Sequence, residues 1–404
     1  MQSILQMLNS NSFVKWLMVL SLFAKILVML VMGVDRFPDS QYYTTTAQAI
    51  FNNGFIMPDV EIASPLLLYV YAFFSPLSEY FGNEAYAIAD IIVSVATVFI
   101  VYKIALLVFD RDRLVANLSA LVMAFYPYFV FYSISLLSET LYIFLLYLSF
   151  YFAIKFYKTK KLKYVALFGI FFALDTLVRF VNLAMYPFFI LLFLYFSFNA
   201  KSGNYYKLIF IAVISYSVTM SPWWIRNYQV YDEFIPTTVG AIGVPFYSGN
   251  NPMNQTGGGI GGVDVDLSQF SEIKDPILRD EAMIQAGVDW IVDNPKDWMI
   301  LEWKKLVRLY KITPFAPEYR TPLYIITSIF TYGIVLILWV VGLYLFRRKI
   351  LILSPMLLFT ALLTGVTLVF IGSIRYRLPI EPFMIIVASA AFIKSIGGLF
   401  KRLR

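Results

Sequence analysis

Apolar runs of about 20 residues recur along the chain, separated by short polar or basic turns, and each run is long enough to cross a hydrocarbon core of roughly 30 Å. The pattern predicts membrane-spanning helices at Phe13 to Val34, Tyr86 to Phe109, Leu114 to Tyr132, Leu136 to Phe156 and Tyr164 to Val178. It predicts five more at Val181 to Phe198, Leu208 to Trp224, Leu323 to Phe346, Leu351 to Gly372 and Leu378 to Ile396. The runs are continuous rather than alternating, which excludes a transmembrane β-barrel. An all-α polytopic bundle of about ten transmembrane helices is therefore expected.

Composition agrees with this reading. The 404 residues are 60% hydrophobic, 18% aromatic and only 14% charged, far from a soluble average. Cysteine and histidine are both absent, which removes disulfides, thiolate nucleophiles, Ser-His triads and His- or Cys-based metal sites. Any chemistry falls to Asp, Glu, Arg, Lys, Tyr or backbone. The first run exceeds a usual signal h-region and carries Lys25 inside it, so it reads as a transmembrane helix rather than a cleaved leader. Lys25 is expected to snorkel or to pair within the bundle.

Cations collect at Asp110 to Arg113, Lys155 to Lys163, Lys201 to Lys207, Arg347 to Lys349 and Lys394 to Arg404. With ten spans all five fall on one side, which the enrichment of Lys and Arg in cytoplasmic loops makes the inner one. Counting the apolar stretch Ser64 to Tyr80 as a further span breaks that agreement, so it is read as re-entrant or interfacial. Two large segments then lie outside, 35–85 and 225–321. The second holds 13 acidic against 9 basic residues, a net charge of −4, in a chain of +7 overall. The basic balance thus reflects membrane orientation and does not argue for nucleic acid as a partner. The organisation read from this is an N-terminal transmembrane module 1–224, an extracytoplasmic segment 225–321 with surface helices, and C-terminal transmembrane helices with a basic tail, 322–404.

Polar residues concentrate at the outer rim. Asp35 and Asp39 lie just past the first span in VDRFPDSQYY, and carboxylates at a membrane surface face water or do chemistry. Tyr43, Ala47 and Ile50 then share one helical face, predicting an amphipathic surface helix ended by Asn53-Gly54. A plain alternative is that the two aspartates only cap that helix. Arg179, Arg226, Arg375 and Arg377 sit at outer helix ends and suit phosphate, which Arg forks bind bidentately. Arg179 also lies four residues after Asp175, the spacing of an intrahelical ion pair, while Arg226 and Arg375 can equally snorkel to headgroups. Glu139 begins a helix at the same rim and either pairs with such an arginine or meets substrate. The tract GNNPMNQTGGGIGG, from Gly249 to Gly262, lacks the Lys-Ser/Thr ending of a P-loop, so it reads as a mobile outer loop that closes over substrate. Asp280 to Lys311 predicts one or two helices on the outer membrane surface.

The order of these blocks resembles the glycosyltransferase C superfamily, specifically dolichyl-phosphate-mannose-protein mannosyltransferase-like enzymes, which include bacterial aminoarabinose transferases. The blocks are the Asp39 start, Ser138-Glu139, Pro222-Trp223-x-x-Arg226-Asn227, Gly249-Asn250-Asn251-Pro252 and Arg375-Tyr376-Arg377-x-Pro379. The resemblance runs from Asp39 to Pro382. It implies a glycosyltransferase C-like bundle, Asp39 as the catalytic carboxylate with Asp35 its neighbour, and outer arginines holding the phosphate of a polyprenyl-phosphate-sugar. Glu139, Tyr42, Tyr43, Asn250 and Asn251 are taken with those arginines as candidate substrate-binding residues. The family's adjacent Asp-Glu pair is here Asp39-Ser40, and no counterpart of the aminoarabinose enzymes' C-terminal soluble domain is expected. The oligosaccharyltransferase Trp-Trp-Asp signature does not occur, since Ile225 follows Trp223-Trp224.

The chemistry stands without the family. No nucleotide pool exists outside the cell, so a glycosyl donor there is anchored in lipid and leaves as a prenyl-linked phosphate. Asp39 can take the acceptor proton in an inverting displacement, and aromatics such as Tyr42, Tyr43, Trp223 and Trp224 can stack on sugar or line a prenyl groove. The expected function is transfer of one sugar from a polyprenyl-phosphate donor to a hydroxyl of a lipid, glycan or protein, at the outer face of a bacterial cytoplasmic membrane. No cofactor is expected beyond that donor; a divalent ion would have only Asp35, Asp39, Glu61 and Glu139 as oxygen ligands. The rival classes are a transporter or flippase for a lipid-linked saccharide, which would place charges at midplane in related halves, and an O-antigen polymerase or ligase.

Overall fold

The computed structural model describes residues 9–10, 12–34, 37–57, 64–199, 205–239, 241–259, 264–315 and 319–402, the side chains of 199 and 397–402 aside. Among them all regular structure is helical. Eight helices are long and apolar enough to cross a bilayer: Phe13–Met32, Glu84–Val108, Glu139–Thr159, Val181–Phe198, Tyr205–Tyr231, Pro322–Leu345, Arg347–Val369 and Ile374–Ile396. The chain is an integral membrane protein with a helical-bundle fold.

The two remaining predicted spans are shorter for identifiable reasons. Arg113–Phe125 stops at Tyr126 because Pro127 starts a separate helix, Pro127–Tyr132, and the residue before a proline is driven out of helical geometry. Lys163–Thr176 has 14 residues, about 21 Å at the α-helical rise, and gives way to a turn carrying Arg179. Lys25 does not snorkel. It is wholly buried, and its ammonium reaches Ser21 Oγ at 2.6 Å and the Ala124 carbonyl at 3.3 Å. That carbonyl lies in the last turn of Arg113–Phe125, where the orphan acceptors and the helix dipole favour a cation.

Pro38–Asn52 buries Tyr43, Ala47 and Ile50 together with Ser40 and Thr44, and the chain turns away at Gly54, whose φ is +65°. Its partner is the 17-residue helix Pro65–Phe81. This helix, the stretch read as re-entrant or interfacial, doubles back antiparallel to Glu84–Val108. Tyr71 donates to Asp90 at 2.6 Å and Ser75 Oγ lies 3.1 Å from the Tyr86 hydroxyl.

One end of the bundle gathers three of the basic turns. Asp110 pairs with Lys349 and lies 3.7 Å from Lys158, so three turns far apart in sequence meet around one carboxylate. At the other end, the segment after Tyr205–Tyr231 is pinned by side chains of that helix. Trp223 Nε1 donates to Thr237 O at 2.7 Å, Trp224 Nε1 to Pro236 O at 3.1 Å, and Asn227 Nδ2 to Ile235 O and Thr237 O. The predicted helical stretch Asp280 to Lys311 is two helices, Pro276–Asp293 and Pro295–Tyr310. The second buries Leu301, Lys305 and Leu309, at i, i+4 and i+8, as it packs on the helix Ile350–Val369.

Candidate active site

Four separate segments bring charged side chains together at the end of the bundle opposite the basic turns. Asp39 stands in the first turn of Pro38–Asn52, just after the proline at its start. Glu139 opens Glu139–Thr159, where a helix N-terminus favours an anion. Arg179 comes from the turn before Val181–Asn199, and Arg375 from the short helix Ile374–Arg377, whose Ser373 cap accepts from the Arg375 amide at 3.2 Å.

Arg375 is the bridge. Its Nη1 donates to Asp39 Oδ2 at 2.9 Å and its Nη2 to Glu139 Oε2 at 3.3 Å, while its Nε also bonds Glu139. Arg179 bonds the same Glu139 carboxylate through Nη2 and reaches Ser138 Oγ at 3.3 Å. Its guanidinium lies 5.4 Å from the Tyr142 ring centre and 5.6 Å from that of Tyr376. Burial opposes the charge of Arg179, but the Glu139 carboxylate outweighs it and raises the guanidinium above its ordinary value. Burial likewise pushes the Tyr43 phenol up, keeping it a hydrogen-bond donor. The two arginines and two carboxylates balance in charge, yet differ in access: the Glu139 side chain is 1% exposed and that of Asp39 49%.

Over this cluster lies a cavity of about 620 Å³. Its polar wall comprises Asp39, Tyr42, Tyr43, Ser64, Ser138, Arg179, Arg375 and Tyr376. Its apolar wall runs between two spanning helices, with Leu183 and Ala184 on one and Leu363 and Val366 on the other, followed by Phe370 and Ile371. Thr237, whose carbonyl takes the Trp223 and Asn227 hydrogen bonds above, closes another side together with Thr238.

The structure therefore gathers Asp39, Tyr42, Tyr43, Arg179 and Arg375 at one cavity, with Glu139 beneath the arginines and outside the lining. Asp35 and Glu61 lie outside the described residues. Arg226 sits elsewhere, over the Trp223 ring at 5.2 Å and donating to Asn227 Oδ1 at 3.2 Å. Arg377 is wholly buried away from the cavity, paired with Glu381 at 2.6 Å and donating to Lys311 O at 2.7 Å. Asn250 and Asn251 are also buried and commit their amides to backbone carbonyls, Asn250 to Phe246 and Val369, Asn251 to Tyr247, Ser248 and Asp264. The described part of the glycine-rich tract is thus clamped rather than loose. Asp175 accepts from Asn182 at 2.7 Å in place of the Arg179 partner its spacing suggested.

Sequence reasoning missed Ser64, Tyr376 and Thr237 as wall residues. Tyr376 stood inside the Arg-Tyr-Arg block and Ser138 beside Glu139, so both were visible as neighbours. Position 40, where the resembling family has a second carboxylate, is wholly buried here, and Ser40 Oγ donates to Ser135 O at 2.8 Å. The second carboxylate on Arg375 comes instead from Glu139. Asp39 and Glu139 share a guanidinium between them, and among the described residues no three Asp, Glu, His or Cys side chains group as a metal site would.

Residues 63–225 match the family model of the dolichyl-phosphate-mannose-protein mannosyltransferases. That stretch contains Glu139 and Arg179. Among solved structures, the apo oligosaccharyltransferase of Archaeoglobus fulgidus is similar at 13% identity and a TM-score of 0.59, over 98% of this chain and 52% of that one. The oligosaccharyltransferase AglB of the same organism, in complex with an inhibitory peptide and a dolichol-phosphate, is similar at 14% identity and a TM-score of 0.55, again over 98% and 52%. ArnT from Cupriavidus metallidurans, bound to undecaprenyl phosphate, aligns at 12% identity and a TM-score of 0.44, over 95% of this chain and 78% of that one. No curated protein matches. The fold is that of these archaeal oligosaccharyltransferases, and the chain spans about half their length.

Proposed function

We propose that this protein transfers a single sugar from a polyprenyl-phosphate donor to a hydroxyl acceptor, with inversion at the anomeric carbon. The observation that carries the reading is a single cavity with a paired Arg179–Arg375 cluster and Asp39 at one end and an apolar wall between spanning helices at the other. A phosphate on a prenyl chain has this polarity, with an anion for the arginines and a hydrocarbon tail for the helices. The dolichol-phosphate in the archaeal neighbour's complex supports a lipid phosphate in this fold.

In the proposed reaction the donor phosphate takes the Arg375 face now bonded to Asp39, freeing that carboxylate. Asp39 accepts the proton of the acceptor hydroxyl as its oxygen bonds the anomeric carbon. The bond from that carbon to the phosphate oxygen breaks, its electron pair stays on the phosphate, and the growing charge is held by the two guanidinium groups. Glu139 keeps both arginines in place without touching substrate. The gathering of basic turns at the opposite end supports a site on the extracytoplasmic face. The membrane in this reading is the cytoplasmic membrane of a bacterium, and the acceptor is a lipid, glycan or protein hydroxyl.

The test is purified protein in proteoliposomes supplied with radiolabelled polyprenyl-phosphate hexose. Label passing to a hydroxyl acceptor, and lost in Asp39→Asn, is expected. Label that crosses the vesicle without transfer would replace this reading with a flippase, and a demand for a diphosphate-linked oligosaccharide would replace it with a polymerase or ligase.

A further inference from the structure

We infer that Lys305 is a positioning residue for Arg375, acting through the end of a spanning helix; the inference rests on Arg375 being a phosphate contact. Lys305 belongs to the outer-segment helix Pro295–Tyr310 and is wholly buried. Its ammonium donates to Leu368 O at 2.7 Å, Glu302 Oε1 at 2.6 Å and Asn250 Oδ1 at 3.1 Å, which uses all three of its hydrogens. Asn250 passes the grip on, since its amide donates to Val369 O at 2.8 Å. Two last-turn carbonyls of Ile350–Val369, which have no partner within the helix, are therefore taken by side chains of the outer segment.

The chain leaving that helix is gripped as well. Gly372 N donates to Gly257 O at 2.9 Å. Gly249 lies so close that a Cβ there would collide with Phe370 O, and a Cβ at Gly259 would meet Ile371 Cδ1 at 2.5 Å. Phe370 and Ile371 are cavity wall, and Arg375 follows three residues after Gly372. Neither Lys305 nor Asn250 lines the cavity. Lys305, Asn250 and the glycine-rich tract thus set the position of the wall and of the arginine from outside the cavity lining, and this gives the tract its use: glycines let backbone lie against backbone, and asparagines lock the approach.

A wholly buried lysine is a costly way to fill space, so its hydrogen bonds to the helix end are the property to test. Full-length protein in nanodiscs is titrated with undecaprenyl phosphate in wild type, Lys305→Met, Lys305→Met/Glu302→Gln, Arg375→Ala and Lys305→Met/Arg375→Ala, each with a thermal midpoint. Lys305→Met and its charge-balanced double should each weaken binding about tenfold, and Lys305→Met should weaken it little further once Arg375 is Ala, the non-additivity of residues acting through one another. Undiminished binding in Lys305→Met, recovery in the charge-balanced double, or losses that simply add to those of Arg375→Ala would overturn the inference. Binding of Arg375→Ala equal to wild type would remove the phosphate contact and the inference with it. Should Lys305→Met fail to fold, Asn250→Ala cuts the same link at Val369 and takes its place.

Discussion

Arg375 joins Asp39 to Glu139, with Nη1 2.9 Å from Asp39 Oδ2 while Nε and Nη2 face the Glu139 carboxylate. The two bonds are not equivalent. Glu139 is enclosed at a helix start and bonded by two arginines, so it is a fixed anchor. Asp39 is half exposed and bonded by one, so of the two it is the partner that the proposed donor phosphate would displace.

Asp39→Asn removes the carboxylate proposed to accept the proton while leaving a side chain of the same shape beside Arg375. The expected loss is in turnover, about 10²- to 10⁴-fold as for a general base, with the donor KM little changed. Steady-state kinetics with a polyprenyl-phosphate-sugar checks this, and a variant that loses KM alone would reassign Asp39 to binding.

Arg179→Lys and Arg375→Lys keep the charge but lose the fork that the proposed site uses to span a carboxylate and a phosphate. A charge-assisted hydrogen bond contributes about 1.5–3 kcal/mol. Each variant should therefore raise the donor KM by roughly tenfold to a hundredfold. Lysine variants with wild-type KM would place the phosphate elsewhere.

Glu139→Gln leaves two guanidinium groups facing each other across an amide. Removing one partner of a buried pair typically costs about 3–5 kcal/mol, and because both arginines are partly exposed the lower end of that range is expected. Thermal unfolding in detergent should show it as a drop in midpoint, with activity falling as well. A midpoint equal to that of wild type would mean that Glu139 does not hold the cluster.

The spans were legible because apolar length is a direct physical requirement of the bilayer, and Lys25 was legible as an anomaly inside one of them. Where it went was not, because the acceptor at Ala124 exists only where the chain breaks before Pro127. Asp175 and Arg179 have helical spacing in sequence, but the helix ends at Thr176, which swings Arg179 across to Glu139. Arg375 and Arg377 look alike in one block; two residues apart on a helical turn they point to opposite sides, so one faces the cavity and the other Glu381. Polarity marked the rim, and only tertiary contacts sorted its members.

At the opposite end of the bundle, the Lys349 hydrogen bond holds the Asp110 carboxyl below the usual carboxylate range, with burial opposing and Lys158 adding to it. A depressed folded-state value means stabilisation that is present above the unfolded Asp value of about 3.9 and lost as pH falls through the folded one. The pair is largely exposed, so the contribution is about 0.5 kcal/mol. Asp110→Asn should lower the thermal midpoint slightly at pH 7 and not at all well below about pH 4, and the difference should shrink in high salt. A gap that persists undiminished into strong acid would deny the ion pair its role.

Glycine substitutions separate the clamp on the cavity wall from ordinary helix packing. A Cβ at Gly249 collides with the Phe370 carbonyl oxygen, a backbone atom that cannot turn aside, whereas one at Gly365 meets nothing within 4 Å. Gly249→Ala must push the tract off the wall, and overpacking of this kind costs about 1–3 kcal/mol or more. Gly365→Ala, in mid-helix, should be neutral or stabilising by up to about 1 kcal/mol. Phe370 lines the cavity, and a methyl group in the open space at Gly365 puts no strain on it, so only Gly249→Ala should also weaken donor binding. Parallel melting and donor titration of the two variants decides it: equal behaviour would mean that the outer segment rests on the wall without shaping it.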